Sequence, residues 1–272
     1  MLVTKKKFCP NSNIEIDTRT LREFILDCKE QEFTFVSLED YHSYRMEDKV
    51  IAITLDDGYK NNLINAGKLF EELEVPYTVF VAVDFIRTNY FAWWYALEAC
   101  CEQKNIEISS LGINVSNPNR FERYAIFDSL RRTLHKSTQL KLEFEKECIE
   151  KGINSKEGYL TKNDVVRIHK SRFGSVQSHG ISHTRLIQKS EKEVLKELTE
   201  SKKYLETLIE DEVRHFAIPY GKCNDFNGSI CSSEDYDYLY STESYMIGSI
   251  IPRLNFSYDE AKRYTFNNNR KL

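Results

Sequence analysis

The amino-acid sequence predicts an α/β protein in which parallel strands alternate with helices and one helical insertion interrupts the alternation. Short apolar, β-branched runs and amphipathic segments follow one another over residues 20–87 and 158–255, as expected of β-α-β units. Residues 88–157 carry charge-rich helical segments instead. We therefore expect one domain over residues 1–272, with the insertion at about 88–157.

The first half of the alternation begins with a helix and ends with a buried strand. Residues 20–31 place apolar side chains at helical spacing, and residues 33–41 predict a short strand that runs into a helix. The continuously apolar run at 49–55 predicts a strand buried on both faces. A helix over 63–73 and a second buried strand at 76–83 complete a β-α-β unit, for which we expect parallel pairing.

The insertion contains an aromatic segment, YFAWWYALEACC, at residues 90–101. Two roles are open for it: a lid over a sugar site, or a hydrophobic helix face that seats the insertion. Clustered aromatic side chains usually pack, which favours the second role.

The alternation resumes after the insertion. Helices are predicted at 160–171 and 191–209, and strands at 173–180, 213–221 and 246–254. Each strand ends on residues that are polar or conformationally special. The carboxyl ends of parallel strands are where α/β barrels build active sites.

Composition places the chain among ordinary globular proteins. Of its 272 residues, 41% are hydrophobic and 29% are charged, and the formal net charge is -4, which argues against a disordered chain and against a nucleic-acid partner. No apolar run has the length of a signal peptide or a membrane span, so we expect a cytoplasmic protein without stable membrane insertion. The seven cysteines form no CxxC pair and are expected to be reduced and mostly buried.

Two strand ends supply side chains that suit a divalent metal. Asp56 and Asp57 follow the strand at 49–55, and His179 and His183 lie at the end of the strand at 173–180. Two imidazoles and a carboxylate form a facial ligand set with open positions, suited to zinc, iron, cobalt or nickel. Adjacent carboxylates at a strand end point in different directions, so one can bind the metal while the other acts as a base. A dication also makes paired negative charge tolerable.

Each motif alone has a simpler explanation. A DDG tripeptide is a common turn, and HxxxH often places two solvated histidines on one helix face. Their occurrence together, each after a strand-like run, favours the metal site. A surface or structural role is predicted for the other histidines, His42, His135, His169 and His215.

Three ordered motifs resemble those of the polysaccharide deacetylases, metal-dependent carbohydrate esterases that include chitooligosaccharide and peptidoglycan deacetylases. TLDDG at 54–58 is similar to the family's TFDDG, SHGISH at 178–183 to its SHxxxH, and FAIPYG at 216–221 to its RxPYG-type strand. The resemblance covers about residues 20–87 and 158–255. It implies a distorted (β/α)7 TIM-like barrel that removes an N-acetyl group from an amino sugar.

The resemblance also implies a role for each site residue. Asp57, His179 and His183 would hold the metal, with zinc expected ahead of cobalt, nickel or iron, and Asp56 would be the general base. Physical chemistry agrees with these roles, because a dication brings the pKa of its bound water down to about 7, where a nearby carboxylate can take the proton.

The oxyanion and the sugar need further contacts. The resemblance implies that the metal and the backbone N–H of Tyr220, shaped by Pro219, stabilise the oxyanion. Pro219 is also expected to contact the carbohydrate substrate. Aromatic residues that could stack on a sugar ring are Tyr59 and Tyr220, which adjoin strand ends, together with Trp93 and Trp94.

The chain departs from the family pattern at two points. Ala217 stands at the first position of RxPY, where many members carry an arginine that holds the catalytic aspartate; members resembling exopolysaccharide deacetylases also have alanine there. Arg253, at the end of the last predicted strand, is the candidate replacement partner for Asp56. The family often uses a C-terminal histidine as general acid, yet no histidine follows His215. The proton would then return from Asp56 and the metal's water, or from another group.

The leading hypothesis is a metal-dependent N-deacetylase that acts on a glycan, an oligosaccharide or a glycan precursor in surface polysaccharide synthesis. A second hypothesis uses the same site on another amide or an ester. The absent C-terminal histidine suggests a third, a sugar-binding protein without turnover, although Asp56 beside the metal ligands argues against it.

Overall fold

The structure, a computed structural model, describes residues 8–45, 47–88, 90–153, 158–222, 236–243, 249–254 and 256. The chain divides into two compact units. The insertion unit comprises Met1–Ile16 and Phe91–Gly158, and the sheet unit comprises Asp17–Tyr90 and Tyr159–Leu272. The larger segment of the insertion unit lies where the sequence predicts the insertion, whereas the single domain stays a prediction.

The strands within the described residues are short. In chain order they are β1 (Thr34–Phe35), β2 (Val50–Ile51), β3 (Ile53–Leu55), β4 (Tyr77–Val81), β5 (Asn105–Ile108), β6 (Ile113–Ser116), β7 (Gly174–Ser178), β8 (His215–Ala217), β9 (Tyr238–Ser241) and β10 (Ile250–Pro252).

The helices of the same described segments include several long amphipathic ones. In chain order they are α1 (Thr18–Glu30), α2 (Leu38–Tyr41), α3 (Lys68–Leu73), α4 (Val83–Arg87), α5 (Trp93–Glu102), α6 (Arg120–Lys136), α7 (Thr138–Glu150), α8 (Lys162–His169) and α9 (Glu191–Ile209). A π-helical segment, Asn62–Gly67, leads into α3. None of the helices that the structure describes has the length and apolar character needed to cross a membrane.

The sheet unit is built on a six-stranded parallel sheet in the order β10-β9-β8-β7-β4-β3, and β1 and β2 form a separate parallel pair. Because all six strands run in the same direction, their carboxyl ends meet at one edge of the sheet. The sheet curls into a half-barrel, which confirms the predicted α/β class and is consistent with a distorted (β/α)7 barrel. Its interior packs Leu38, Phe80, Ala217 and Tyr240 together.

Two helices that lie between strands of this sheet begin at capping boxes, which the sequence shows. A capping box of Thr161 and Asp164 starts α8, and one of Ser190 and Glu193 starts α9. The inward face of α9 is mostly apolar, and α9 packs against β7 and α8. The loop between β7 and α9 therefore joins two fixed elements.

The prediction of one strand at 49–55, buried on both faces, is wrong. Two short strands lie there, separated by Ala52, and both are only half-buried. The reason is topological: β2 pairs with β1, whereas β3 is an edge of the six-stranded sheet. The predicted strand at 246–254 lies partly outside the described residues and is observed as β10. Strand β9 was not predicted.

The insertion unit is not purely helical. It contains α5, α6 and α7, but also an antiparallel hairpin of β5 and β6. The hairpin was not predicted, because the apolar pattern of this segment is only weakly typical of strands. As predicted, cysteines are mostly buried where the structure describes them: Cys28, Cys100, Cys101 and Cys148. Cys223 and Cys231 lie outside the described residues.

Candidate metal centre

Three predicted ligands lie together at the carboxyl edge of the sheet. Asp57 follows β3, and His179 and His183 follow β7. The Asp57 Oδ1 atom is 3.3 Å from His179 Nε2 and 3.1 Å from His183 Nε2, and the three ligand atoms lie within 4.8 Å of one another. Ligand atoms bound at about 2.1 Å to one tetrahedral ion are separated by about 3.4 Å. The three side chains therefore fit a divalent metal.

The hydrogen bond of His179 supports this fit. Its Nδ1 atom lies 2.7 Å from the carbonyl oxygen of Ala217, and since a carbonyl only accepts, Nδ1 carries the proton. In the neutral imidazole, Nε2 then presents its lone pair to the carboxylate of Asp57. Two lone pairs at this distance repel unless a proton or a cation lies between them. A histidine fixed by a carbonyl in this way is the usual arrangement at a metal site.

Electrostatics keep both carboxylates ionised. Burial alone would raise the pKa of Asp57, but His183 and His179 outweigh it and hold that pKa well below its usual range. Burial would likewise raise the pKa of Asp56, but Arg253 and His179 lower it. Burial would lower the pKa of His179, yet the charges of Asp56 and Asp57 raise it overall. The site therefore attracts positive charge.

The backbone at the site adopts an uncommon conformation. Asp57, His183 and Tyr220 have φ angles of 74°, 47° and 62°, in the left-handed region that side chains other than glycine rarely adopt. Each such residue costs of order 1 kcal/mol or more. Gly58 and Gly180, with φ angles of 84° and 79°, adopt similar angles at no such cost. The residues around the ligands must hold this geometry in place.

Arg253 forms a two-pronged ion pair with Asp56, the predicted general base. Its Nη1 and Nη2 atoms donate to the two oxygens of Asp56 over 2.7 and 2.8 Å, and Nη1 also donates to Thr54 Oγ1 over 3.0 Å. The guanidinium lies over the Phe80 ring, 5.1 Å from its centroid. Because Arg253 follows β10 and Asp56 follows β3, this pair joins the two edges of the curled sheet. The contact is the one that the sequence analysis predicted for Arg253, whereas its role in place of an arginine at position 217 stays a prediction.

Aromatic rings line one side of the ligands. The rings of Tyr220 and Phe85 lie 4.8 and 5.2 Å from that of His183. Tyr90 and Tyr159 in turn contact Phe85, at 4.0 and 4.6 Å between centroids. The stack continues, since Tyr59 lies 5.1 Å from Tyr159. We call the set the aromatic wall: Tyr59, Phe85, Tyr90, Tyr159 and Tyr220.

The other predicted substrate contacts have different surroundings. Pro219 is buried in the turn Pro219–Gly221, where it shapes the backbone of Tyr220. Trp93 and Trp94 belong to α5 and are 4% and 9% exposed, which leaves little ring surface for a sugar and favours their packing role. Trp93 contacts His135 edge-on. Their role as substrate contacts stays a prediction.

Several residues at the site were missed by the sequence reasoning. Tyr90 and Tyr159 are the residues of the sheet unit that flank the inserted segment in the sequence. The one feature of the sequence that could have indicated them is a tyrosine on each side of that segment. Phe85 follows β4, a strand at whose end the sequence analysis predicted no site residue. Glu197 in α9 holds the loop between the two histidines.

The other histidines have structural partners. His215 is buried at the start of β8, where Nδ1 contacts the Tyr240 hydroxyl at 2.8 Å and Nε2 lies 3.0 Å from Glu39. His42 contacts the same hydroxyl at 2.7 Å. His215 therefore interacts with its own cluster and not with the metal ligands, which agrees with the structural role predicted for it.

Comparison with known proteins identifies the family. The polysaccharide deacetylase model matches residues 43–239, well over half of the chain. The chain therefore belongs to the polysaccharide deacetylase family. No curated protein gives a significant match.

Solved structures share the fold at low sequence identity. IcaB from Ammonifex degensii is 12% identical with a TM-score of 0.59, over 92% of this chain and 88% of that one. The deacetylase PplD of Streptococcus pyogenes, in complex with acetate, is 15% identical with a TM-score of 0.56, over 92% and 87%. The polysaccharide deacetylase BC0361 of Bacillus cereus is 17% identical with a TM-score of 0.53, over 86% of this chain and 53% of that one. The chain thus spans about half the length of the Bacillus protein.

Proposed function

We propose that the protein is a metal-dependent hydrolase that removes N-acetyl groups from the amino sugars of a glycan, an oligosaccharide or a glycan precursor. The observation that carries the proposal is a ligand set of Asp57, His179 and His183 beside an ionised Asp56 that Arg253 holds on both oxygens. Membership of the polysaccharide deacetylase family supports it. The cytoplasmic location stays a prediction.

The metal is the first part of the proposal. Asp57, His179 and His183 would hold it, and zinc suits two imidazoles and a carboxylate with open positions. When bound, a dication supplies a Lewis acid, which lowers the pKa of water and polarises an acyl oxygen. The depressed pKa of Asp57 keeps this ligand ionised at neutral pH.

Asp56 is proposed as the general base. Since both of its oxygens accept from Arg253, its carboxylate is held in one orientation and remains ionised. It would take a proton as the oxygen of water attacks the acetyl carbon. When the C–N bond breaks, the same carboxyl group would return that proton to the leaving amine. Acetate and a free amino sugar result, and no further histidine is needed.

The oxyanion and the sugar would be bound by neighbouring groups. The backbone N–H of Tyr220, in the left-handed turn that Pro219 begins, is the proposed donor to the oxyanion, and one such donor is typically worth about 3 kcal/mol. The aromatic wall beside His183 offers faces on which a sugar ring can stack. Tyr59, Tyr90 and Tyr159 are half-buried and keep part of their surface exposed.

The proposal is tested by acetate release. The purified chain is incubated with N-acetylglucosamine oligomers and acetylated glycan precursors, with zinc or cobalt and with a chelator. We expect release that depends on the metal and that His179→Gln abolishes. His169→Gln is the matched control, because His169 lies in α8 and contacts Asp211; this variant should keep full activity.

Each alternative gives a different result. Release from another amide or an ester, with none from acetylated sugars, would assign the same site to a different substrate. Tight zinc binding and sugar binding without release from any substrate would indicate a binding protein. Release that is insensitive to chelation and to His179→Gln would contradict the proposed site.

A further inference from the structure

The loop between the two histidines that we propose as metal ligands is bound by groups from two other elements of the fold. Residues Gly180, Ile181 and Ser182 form this loop, which we call the ligand loop. Gly180 has a φ angle of 79° and His183 one of 47°, so the loop passes through two left-handed positions within four residues. The left-handed conformation is strained at His183, although not at the glycine, and such strain persists only when the surrounding structure holds the residue in place.

A buried carboxylate on α9 binds the N–H groups of the ligand loop. Glu197 Oε2 accepts from the backbone N–H of Ile181 over 2.7 Å and of Ser182 over 3.0 Å, and Oε1 accepts from the Ser182 hydroxyl over 2.5 Å. Two successive N–H groups after a left-handed glycine form a nest for an anion. Here the anion is a side chain of the protein itself.

The carboxylate is neutralised and enclosed. The Nζ atom of Lys189 lies 2.9 Å from Glu197 Oε1, and the two side chains are 19% and 7% exposed. A buried charge that is paired and fully hydrogen-bonded keeps a fixed position. A Cβ atom at position 180 would lie 3.2 Å from Glu197 Oε2, and the φ angle of 79° would also strain any other residue there, so both features favour glycine at this position.

The opposite side of the ligand loop is fixed by the start of α4. The N–H of Val83 donates to the Gly180 carbonyl over 3.0 Å, and the N–H of Asp84 donates to the Ile181 carbonyl over 2.9 Å. Glu197 on α9 therefore binds the N–H groups of the loop, and the first N–H groups of α4 bind its carbonyl groups. Among the described groups that contact the backbone of the loop directly, the carboxylate of Glu197 is the charged one.

We infer that Glu197, neutralised by Lys189, is a positioning residue of the metal site, which sets the separation of His179 and His183 without contacting the metal. The inference rests on the proposed function only in that these histidines hold a metal. Groups that orient metal ligands from outside typically contribute about 10- to 100-fold in metal affinity. We expect Glu197→Ala to weaken zinc binding at least tenfold. Glu197→Gln, which keeps one acceptor oxygen, should have an intermediate effect.

The test measures zinc affinity by competition with a chromophoric chelator, and ligand geometry from the visible absorption of the cobalt-substituted protein. Glu200→Gln is the matched control, since Glu200 lies on the same helix with its side chain 57% exposed. Leu198→Ala controls for loss of packing, because Leu198 is fully buried beside Glu197. This variant should lower the melting temperature and leave both metal readouts unchanged.

The outcomes separate this inference from the proposed function. If both Glu197 variants keep the zinc affinity and the cobalt spectrum of the natural chain, the inference is wrong, while acetate release can still support the function. If the variants lose affinity but the natural chain releases no acetate, the positioning role stands and the proposed function fails. If Leu198→Ala changes the metal readouts as much as Glu197→Gln does, the effect is general destabilisation and the inference is wrong. A natural chain that binds no zinc or cobalt overturns both.

Discussion

Arg253→Met tests whether the pair with Asp56 supports catalysis. The substitution keeps the aliphatic stem but removes the charge and both hydrogen bonds to the carboxylate, 2.7 and 2.8 Å long. Hydrogen bonds to charged groups contribute about 1.5–3 kcal/mol each. Displacement of a catalytic group by about 1 Å can cost about 100-fold in rate. We therefore expect kcat/KM to fall about 100-fold, which corresponds to about 2.7 kcal/mol.

Two further variants show which property of Arg253 matters. Arg253→Lys keeps the charge but cannot donate to both oxygens in parallel, so about a tenfold loss of kcat/KM is expected. Thr54→Val removes only the neutral acceptor of the guanidinium and should cost less than threefold. Zinc affinity should not fall in any of them, because Arg253 touches Asp56 and not the ligands.

The assay is steady-state acetate release with zinc at saturation. If Arg253→Met keeps kcat/KM within threefold of the natural chain, the pair has no catalytic role and the reasoning is refuted. Equal losses in Arg253→Met and Thr54→Val would instead indicate that local packing, and not the ion pair, is responsible.

Three more predictions concern the metal, the aromatic wall and the insertion unit. Chelation should lower the melting temperature of the natural chain, since a ligand at 100 times its Kd stabilises by about 2.7 kcal/mol; zinc should not raise that of His179→Gln. Tyr159→Leu should raise KM for an acetylated oligosaccharide about fivefold with kcat little changed, because a lost stacking contact of about 1 kcal/mol affects binding in ground and transition states alike; an unchanged KM would exclude the wall from substrate binding. Burial raises the pKa of Glu147, but Lys151 and the N–H groups of Ser109 and Ser110 lower it from 4.5 to about 2. Glu147→Gln should therefore cost about 2 kcal/mol of unfolding free energy at pH 6, less than the full shift implies, because solvent screens a partly exposed side chain.

The sign of the Glu147 effect follows from its depressed pKa. Its contribution is present above pH 4.5 and is lost as the pH falls towards 2. Urea unfolding at pH 6 and pH 3 measures this, with tryptophan fluorescence as the probe, because both tryptophans, Trp93 and Trp94, belong to the insertion unit. Glu150→Gln is the control, since its side chain is 66% exposed. A difference between Glu147→Gln and the natural chain that does not shrink at pH 3 would contradict the account.

The ligand set was predictable because its signals are local. Asp57, His179 and His183 each lie within a few residues of a strand end, and parallel strands bring such ends to one edge. The contact of Arg253 with Asp56 was predictable as a pairing of opposite charges at two strand ends. The curl of the sheet, which brings these two ends together, depends on all the strands and cannot be predicted from one segment of the sequence. The catalytic roles of these residues stay predictions.

Other site residues depend on long-range packing, which one segment does not reveal. Glu197 is one of several glutamates in α9, and only its place beside Val194 and Leu198 on the inward face distinguishes it. Its partners, Ile181 and Ser182, lie on a different segment of the chain. Tyr90 and Tyr159 are separated by the whole inserted segment and meet only because the chain leaves and re-enters the sheet unit at adjacent points.

The central claim is that Asp56 acts as a base beside a metal held by other residues. The most direct measurement compares the natural chain with Asp56→Asn, which has nearly the same shape but no negative charge. Acetate release from an acetylated amino-sugar oligomer and zinc affinity are measured on the same samples. The account predicts that release falls by at least 100-fold while zinc affinity stays within about tenfold. Release that survives the substitution, or that is absent from the natural chain with zinc bound, would contradict it.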